Sequence, residues 1–318
     1  MKIAIIGGTG FVGSYIIDEL INQQIVPRVL VRKGSEGKLL QTKKTEFVYG
    51  NIEDENAIKE TLRGCSAVIY LIALIREFPA QNLTNYRLQY LGVKRVSEAC
   101  IEVGLKRFVL MSALGVHKNR KTSQYMISKY KAEEEIKNSS LDWTIIRPSS
   151  LFGNPRGGGR PEFCLMLNKE LLNLIPFPNF LYFPAPAFFK GFNFLKSGHF
   201  ALSMLHVKDA AKVFVNCIDD KDVLNKTIEL GGLEKISWNR VIKTIGRVTN
   251  KKVFMLPTPF FIVSFIASLL DRFSWFPAGR DQLNDLILGN TCDLNPIFKK
   301  YNINPIKFNS DNISYLKD

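Results

Sequence analysis

Along the first half of the chain, short apolar runs alternate with stretches whose apolar positions recur every three or four residues. The runs at 2–6, 27–32, 45–49, 67–72, 107–112 and 143–147 are rich in β-branched residues and predict strands. The stretches near 11–23, 54–63, 83–103 and 123–139 predict helices. Strands that are apolar at nearly every position need cover on both faces, and intervening helices supply it. The expected fold class is α/β, a doubly wound parallel sheet with right-handed crossovers.

After Gly153 the texture changes. Residues 154–161 (NPRGGGRP) read as a loop. Residues 171–195 are dense in Phe, Leu and Pro, and the prolines forbid a long regular helix there. The earlier style then returns, with a strand expected at 204–207, a helix at 208–218 and a strand at 227–230. Further helices are expected at 237–249 and 259–273. The run 260–270 (FFIVSFIASLL) is apolar for 11 residues. A membrane span needs about 20, so a core helix or a membrane-surface contact is expected instead.

The junction after the first strand carries the clearest chemistry. Gly7-Gly8-Thr9-Gly10-Phe11-Val12-Gly13 has glycines at 7, 10 and 13 between strand and helix. The first permits a sharp turn, the second lets backbone approach a pyrophosphate, and the third lets helix and strand pack closely. The helix N-terminus, from Thr9 through Gly13, offers N–H groups and a partial positive charge to phosphates. This predicts a Rossmann domain for a nicotinamide dinucleotide. The second strand ends in Arg32 and Lys33, where an acid would bind the 2′-hydroxyl of NAD. Arginine there favours the 2′-phosphate of NADP, so NADP(H) is expected over NAD(H); ordinary surface cations are the alternative. Asn51 and Ile52 are expected to cover the adenine. Leu71, Ile72 and Ala73 are expected to line the middle of the cofactor.

Together with that glycine motif, Tyr125-Met-Ile-Ser-Lys129, the segment Arg147-Pro148-Ser-Ser-Leu-Phe-Gly153 and His206-Val-Lys-Asp209-Ala-Ala carry a family resemblance. The chain resembles the extended or atypical short-chain dehydrogenase/reductases, including NAD-dependent epimerases and dehydratases. Residues 109–116 (VLMSALGV), the aromatic-rich insert and residues 281–298 make it similar to one branch. That branch contains the NAD(P)H-binding accessory subunit of respiratory complex I and its bacterial relatives. The resemblance implies Tyr125 as acid/base, Lys129 as its electrostatic partner and ribose ligand, and Ser112 as the holder of the substrate oxygen. Pro148 would join the cofactor pocket. Tyr125 and Lys129 are i, i+4 and share a helix face; an ammonium there would lower the phenol's pKa. A packed tyrosine and a snorkelling lysine are the alternative. Where extended enzymes carry a substrate-orienting Asn, this chain has Gln89. His206 and Asp209 read as structural, opening a helix. Relatives that serve as cofactor-bound scaffolds leave two functions open: an oxidoreductase, or a catalytically silent subunit or assembly factor of a membrane respiratory-type complex.

In domain terms, 1–153 form the dinucleotide domain, its sheet completed by about 204–231. Residues 154–203 and 232–318 form a smaller substrate or interaction subdomain. Composition alters this picture in few places. The 318 residues are 46% apolar and 23% charged, as in a folded domain. Five cysteines without Cys-x-x-Cys spacing and three scattered histidines suggest neither a disulfide framework nor a metal site. The chain opens directly on a strand, which predicts a cytoplasmic protein. The net charge of +14, without basic runs interleaved with aromatics, argues against nucleic acid. With the apolar stretches 171–195 and 260–276 it predicts attachment to the periphery of a membrane, through lipid or a respiratory complex, and a hydrophobic small-molecule substrate; the alternative is an ordinary solvated basic surface, with both stretches folded over the nicotinamide end and burying each other as a substrate-domain core.

Overall fold

The computed structural model describes all residues except 75–76, 118–122, 158–159, 174–181, 190, 192, 271–279, 288–289 and 318, and only the backbone of 80, 270 and 280–282. Seven strands form the central sheet: β1 (Lys2–Ile6), β2 (Val26–Val31), β3 (Glu46–Tyr49), β4 (Ala67–Tyr70), β5 (Arg107–Met111), β6 (Asp142–Pro148) and β7 (Lys226–Leu230). Their order is β7-β6-β5-β4-β1-β2-β3, and every neighbouring pair is parallel. The direction of winding reverses between β1 and β4, which opens a crevice at the carboxyl ends of those strands.

Alternation along β1 explains why the sheet is apolar throughout. Ile3 and Ile5 enter one buried cluster, which includes Ile16 and Phe214; Ala4 and Ile6 enter the other, with Ile58 and Phe108. Helix α1 (Phe11–Asn22) covers the first face. Helices α2 (Glu55–Leu62), α3 (Gly92–Glu102) and α4 (Gln124–Lys137) cover the second, and α5 (Val207–Asn216) packs beside α1. The expected helix over 83–103 is split. Residues Tyr86–Leu91 form a π-helical turn that runs directly into α3.

Two expectations for the second half change. The segment expected as a strand at 204–207 reduces to Leu205–His206, paired with Leu151–Phe152 outside the main sheet. Only β7 completes that sheet. The proline-rich insert contains an eight-residue strand, Tyr182–Phe189, lying parallel to Lys252–Pro259. Pro184 and Pro186 are two apart, so their missing N–H groups face one edge, and a two-stranded ribbon leaves each strand such an edge free. Helix α6 (Trp238–Val248) packs on this ribbon, and α7 (Phe260–Leu270) follows it. Trp238 is buried between Phe188 and Phe200 and donates Nε1–H to Pro186 O at 2.8 Å, as a core residue. His206 caps α5 through Nδ1, which accepts from Lys208 N–H at 3.2 Å, and Asp209 accepts from Ile306 N–H at 2.7 Å. No helix among the described residues is long and apolar enough to cross a membrane.

Candidate functional site

The sheet order sets the sequence-predicted residues in a row along its carboxyl edge. Asn51 and Ile52 follow β3, Arg32 and Lys33 follow β2, the glycine turn follows β1, Leu71–Ala73 follow β4, Ser112 follows β5 and Pro148 ends β6. At the centre, Gly7 has φ +97° and Gly10 N–H donates to Gly7 O at 3.1 Å. Helix α1 begins with Ser14 N–H donating to Gly10 O at 3.1 Å, and no side chain caps it. A Cβ on Gly13 would lie 2.5 Å from Gly7 O and 2.6 Å from Gly8 Cα. Both are backbone atoms, so the position must be glycine for the helix to seat on the turn. The side chains of Phe11 and Val12 are buried in the core, and what these residues offer an anion is backbone N–H. Such an uncapped N-terminus against a glycine turn fits a pyrophosphate.

Arg32 and Lys33 are exposed and carry no carboxylate partner among the described residues. Asn51 turns its Oδ1 to Glu53 N–H at 2.7 Å, within its own loop, and Ile52 is buried in the core. Leu71 N–H donates to Ile6 O at 2.8 Å, and a Cβ on Gly7 would lie 3.2 Å from Ile72 N. The exit of β4 and the glycine turn therefore touch. Ala73 is exposed. Pro148 is buried, and its carbonyl accepts from Leu114 N–H at 2.9 Å.

Helix α4 brings Tyr125 and Lys129 to this crevice. Ser123 caps it, accepting from Met126 N–H at 3.1 Å while donating to Asp285 Oδ2 at 2.7 Å. Lys129 is 1% exposed, and its ammonium donates to Met111 O at 2.7 Å and Ile72 O at 3.5 Å. One side chain thus joins the ends of β4 and β5. Its Nζ lies 6.0 Å from the centre of the Tyr125 ring. Burial lowers the lysine pKa to about 7, with Glu133 acting the other way. Burial, then Asp285, push the Tyr125 phenol above its ordinary value. That is opposite to the expected direction. Desolvation outweighs a lysine that burial has itself brought close to neutrality.

Ser112 also departs from expectation. Its hydroxyl donates to Glu133 Oε1 at 2.5 Å inside a buried network. The same carboxylate receives Arg147 Nε at 2.8 Å and Nη2 at 2.6 Å, and Lys137 at 3.3 Å. The serine is committed to a buried ion pair because Glu133, on the face of α4 that meets the sheet, needs every donor it can reach. Gln89 is buried in the π-helical turn. Its Nε2 donates to Leu74 O at 3.3 Å and to Asn85 Oδ1, leaving Oε1 without a partner.

Sequence reasoning missed Arg160. This side chain is 6% exposed, and its Nε donates to Thr9 O at 3.0 Å. Its other nitrogens reach Pro155 O at 3.0 Å, Arg156 O at 2.6 Å and Lys38 O. A residue of the NPRGGGRP loop thereby ties the glycine turn to the loop beyond β2. Lacking periodicity or motif, it left no signal beyond a cation in a glycine-rich stretch. Beside it, Arg156 lies 3.6 Å over the Tyr15 ring and pairs with Asp18.

Residues 7–163 match the family model described as NAD(P)H-binding. The chain is 26% identical over 278 residues to subunit 9 of the mouse mitochondrial NADH dehydrogenase [ubiquinone] 1 alpha subcomplex, covering 83% of this chain and 66% of that protein. It therefore spans just under two thirds of that relative's length. It is 28% identical over 278 residues to a ceramide reductase of Caulobacter vibrioides, covering 86% and 78% of the two chains. Among solved structures, the NAD complex of the Thermus thermophilus UDP-glucose 4-epimerase superposes with a TM-score of 0.70 at 16% identity, covering 100% and 98%. That likeness is one of fold.

Proposed function

From the match of residues 7–163 to the NAD(P)H-binding family model, we propose that the chain is an oxidoreductase using NADP(H) in preference to NAD(H). Its substrate is an apolar carbonyl or hydroxyl compound held between the crevice and the C-terminal subdomain. The observation that carries this reading is the buried Lys129 ammonium, which joins the ends of β4 and β5 beneath Tyr125. The dinucleotide, when bound, supplies or accepts a hydride. Tyr125 gives its phenolic proton to the substrate oxygen as the carbonyl carbon is reduced, leaving an alcohol. Lys129, with a pKa brought to about 7, then returns a proton to the phenolate at neutral pH. The Gly7–Gly13 turn holds the pyrophosphate, and Arg32 and Lys33 meet the 2′-phosphate. Similarity to a ceramide reductase fits a long-chain substrate. The apolar surface of the C-terminal subdomain fits work at the periphery of a membrane.

The test begins with mass identification of the nucleotide that co-purifies. NADPH oxidation is then followed with long-chain ketones and aldehydes. Tyr125→Phe is expected to keep NADPH binding and lose about 10²–10⁴-fold in turnover. A Phe variant as active as the parent removes Tyr125 from the chemistry. One observation favours a second reading, a cofactor-bound scaffold of a membrane complex. Ser112 is spent on Glu133, and the residue after it, Ala113, has no hydroxyl. Tightly held nucleotide with no turnover on any carbonyl would favour that reading.

A further inference from the structure

The C-terminal ribbon and the helix that follows it carry a band of large exposed apolar side chains. On α7, Phe261 and Phe265 are 70% and 64% exposed, and Ile262, Ile266 and Leu269 stand out beside them. These positions fall at i, i+1, i+4, i+5 and i+8, one stripe of the helix. The helix follows directly on the strand Lys252–Pro259, whose alternate residues Lys252, Phe254 and Leu256 are exposed. The parallel register sets Lys252 beside Tyr182 and Phe254 beside Pro184, both exposed, so the same outward face continues across the ribbon. The turn Phe194–Lys196 packs on that strand and adds Phe194 and Leu195.

We propose that this face seats the protein on an anionic lipid bilayer, with α7 lying in the plane of the interface. The proposal deepens the peripheral attachment put forward above and rests on it. Three observations favour lipid over another protein or a second copy.

The first is charge. The stretches 182–189, 193–208 and 235–269, which contain the band's residues, hold no Asp or Glu; the first two hold Lys196 and Lys208, and the third holds four lysines and two arginines, of which Lys235 pairs with Asp293 and Arg240 with Glu234. Of these, Lys196 and Lys252 stand on the turn and the strand that carry the band, are exposed and have no carboxylate partner among the described residues. A second copy docked face to face would bring these cations together, whereas anionic headgroups would neutralise them. The second is the handling of polar groups. Ser268 Oγ donates to Phe265 O at 2.7 Å and Thr258 Oγ1 to Leu256 O at 2.8 Å. A protein interface carries about one hydrogen bond per 100–200 Å². Here both hydroxyls are turned back onto their own backbone, which suits a medium that offers no partners. The third is the pairing of Tyr182 with Lys252 in one register. Each has an apolar body and a polar tip, the combination that sits at headgroup level.

The test is flotation of the full-length protein with vesicles of phosphatidylcholine alone, or mixed with phosphatidylglycerol, at low and high salt. The parent is expected to float with the anionic vesicles, less so at high salt. Phe261→Ser/Phe265→Ser should reduce the bound fraction by about tenfold or more. The NADPH affinity of that variant should be unchanged, because both side chains are exposed on the C-terminal helix and neither belongs to the glycine turn. Lys196→Gln/Lys252→Gln should lose the preference for anionic over neutral vesicles. If the parent stays unbound, peripheral attachment itself fails. If parent and Phe variant float equally, attachment stands and this face is overturned. Concentration-dependent dimers abolished by the Phe changes, without vesicle binding, would replace the bilayer with a second copy.

Discussion

Gly13→Ala probes the glycine turn at the most crowded of its three positions. The added Cβ would sit 2.5 Å from Gly7 O and 2.6 Å from Gly8 Cα, where real Cβ contacts stay beyond 3.0 Å. Neither neighbour can rotate away, because both are backbone. Helix α1 must therefore back off by roughly half an ångström. Overpacking of this kind costs about 1–3 kcal/mol in stability. It also moves the N–H groups of residues 11–13 away from the pyrophosphate. Charge-assisted hydrogen bonds contribute about 1.5–3 kcal/mol each, so weakening two by half removes about 1.5–3 kcal/mol of binding. That corresponds to a loss of about 10- to 150-fold in affinity.

Gly10→Ala supplies the contrast. Gly10 has φ −77°, open to any residue, and its Cβ would meet only Gly7 O at 3.2 Å. This variant should melt near the parent and still bind weakly, because its methyl faces the dinucleotide. The assay is fluorescence titration with NADPH alongside thermal melting of the nucleotide-free proteins. A Gly13→Ala protein with the parent's Kd and Tm would refute both the packing argument and the placing of the phosphates on α1.

Three further outcomes are expected. Arg32→Ala should narrow the preference for NADPH over NADH by about 1.5–3 kcal/mol, measured by titration of both nucleotides; equal binding by the parent removes the 2′-phosphate assignment. Arg160→Gln should weaken dinucleotide binding and lower the Tm of the nucleotide-free protein by a few degrees, since the Thr9 and Lys38 carbonyls lose a buried donor at about 1–3 kcal/mol; an unchanged melt and Kd would show the tether to be idle. Lys129 is lowered to about 7 in the folded chain, so between there and its ordinary value near 10.5 the unfolded chain binds more protons. Its burial penalty is fully present below pH 7 and fades as pH rises, so the Tm of the parent relative to Lys129→Met should rise from acid pH toward pH 10. A gap independent of pH would mean that the lysine is buried without cost.

Local patterns made the doubly wound sheet legible. Six strands and the glycine turn have signals a few residues long, and parallel topology follows from alternation of strand and helix. The Tyr125–Lys129 pair was equally local, one helix face with i, i+4 spacing. What the sequence left hidden depends on contacts between distant segments. That Lys129 reaches both Ile72 and Met111 follows only from β4 and β5 lying side by side. Ser112 looked like a substrate anchor because position in the chain does not reveal which way a hydroxyl turns, and Glu133 was nowhere near it in sequence. Arg160 is 151 residues from Thr9, and nothing local marks it.

The C-terminal half shows the same limit from the other side. Prolines at 184 and 186 forbid a long regular helix in the insert, and that much was readable. They do not exclude a ribbon in which each strand hides only one edge, and Tyr182–Phe189 and Lys252–Pro259 form one. Once those strands are side by side, two acid-free segments far apart in sequence become one surface. The core side of that surface is filled by Phe188, Trp238 and Ala267, so the outer residues are not needed to hold the subdomain together. A chain that needed Phe261 and Phe265 only for packing would bury them. With Phe261 and Phe265 both more than half exposed, on the helix that follows the strand carrying Lys252, the proposed bilayer contact has an apolar centre with a cation on the adjoining strand.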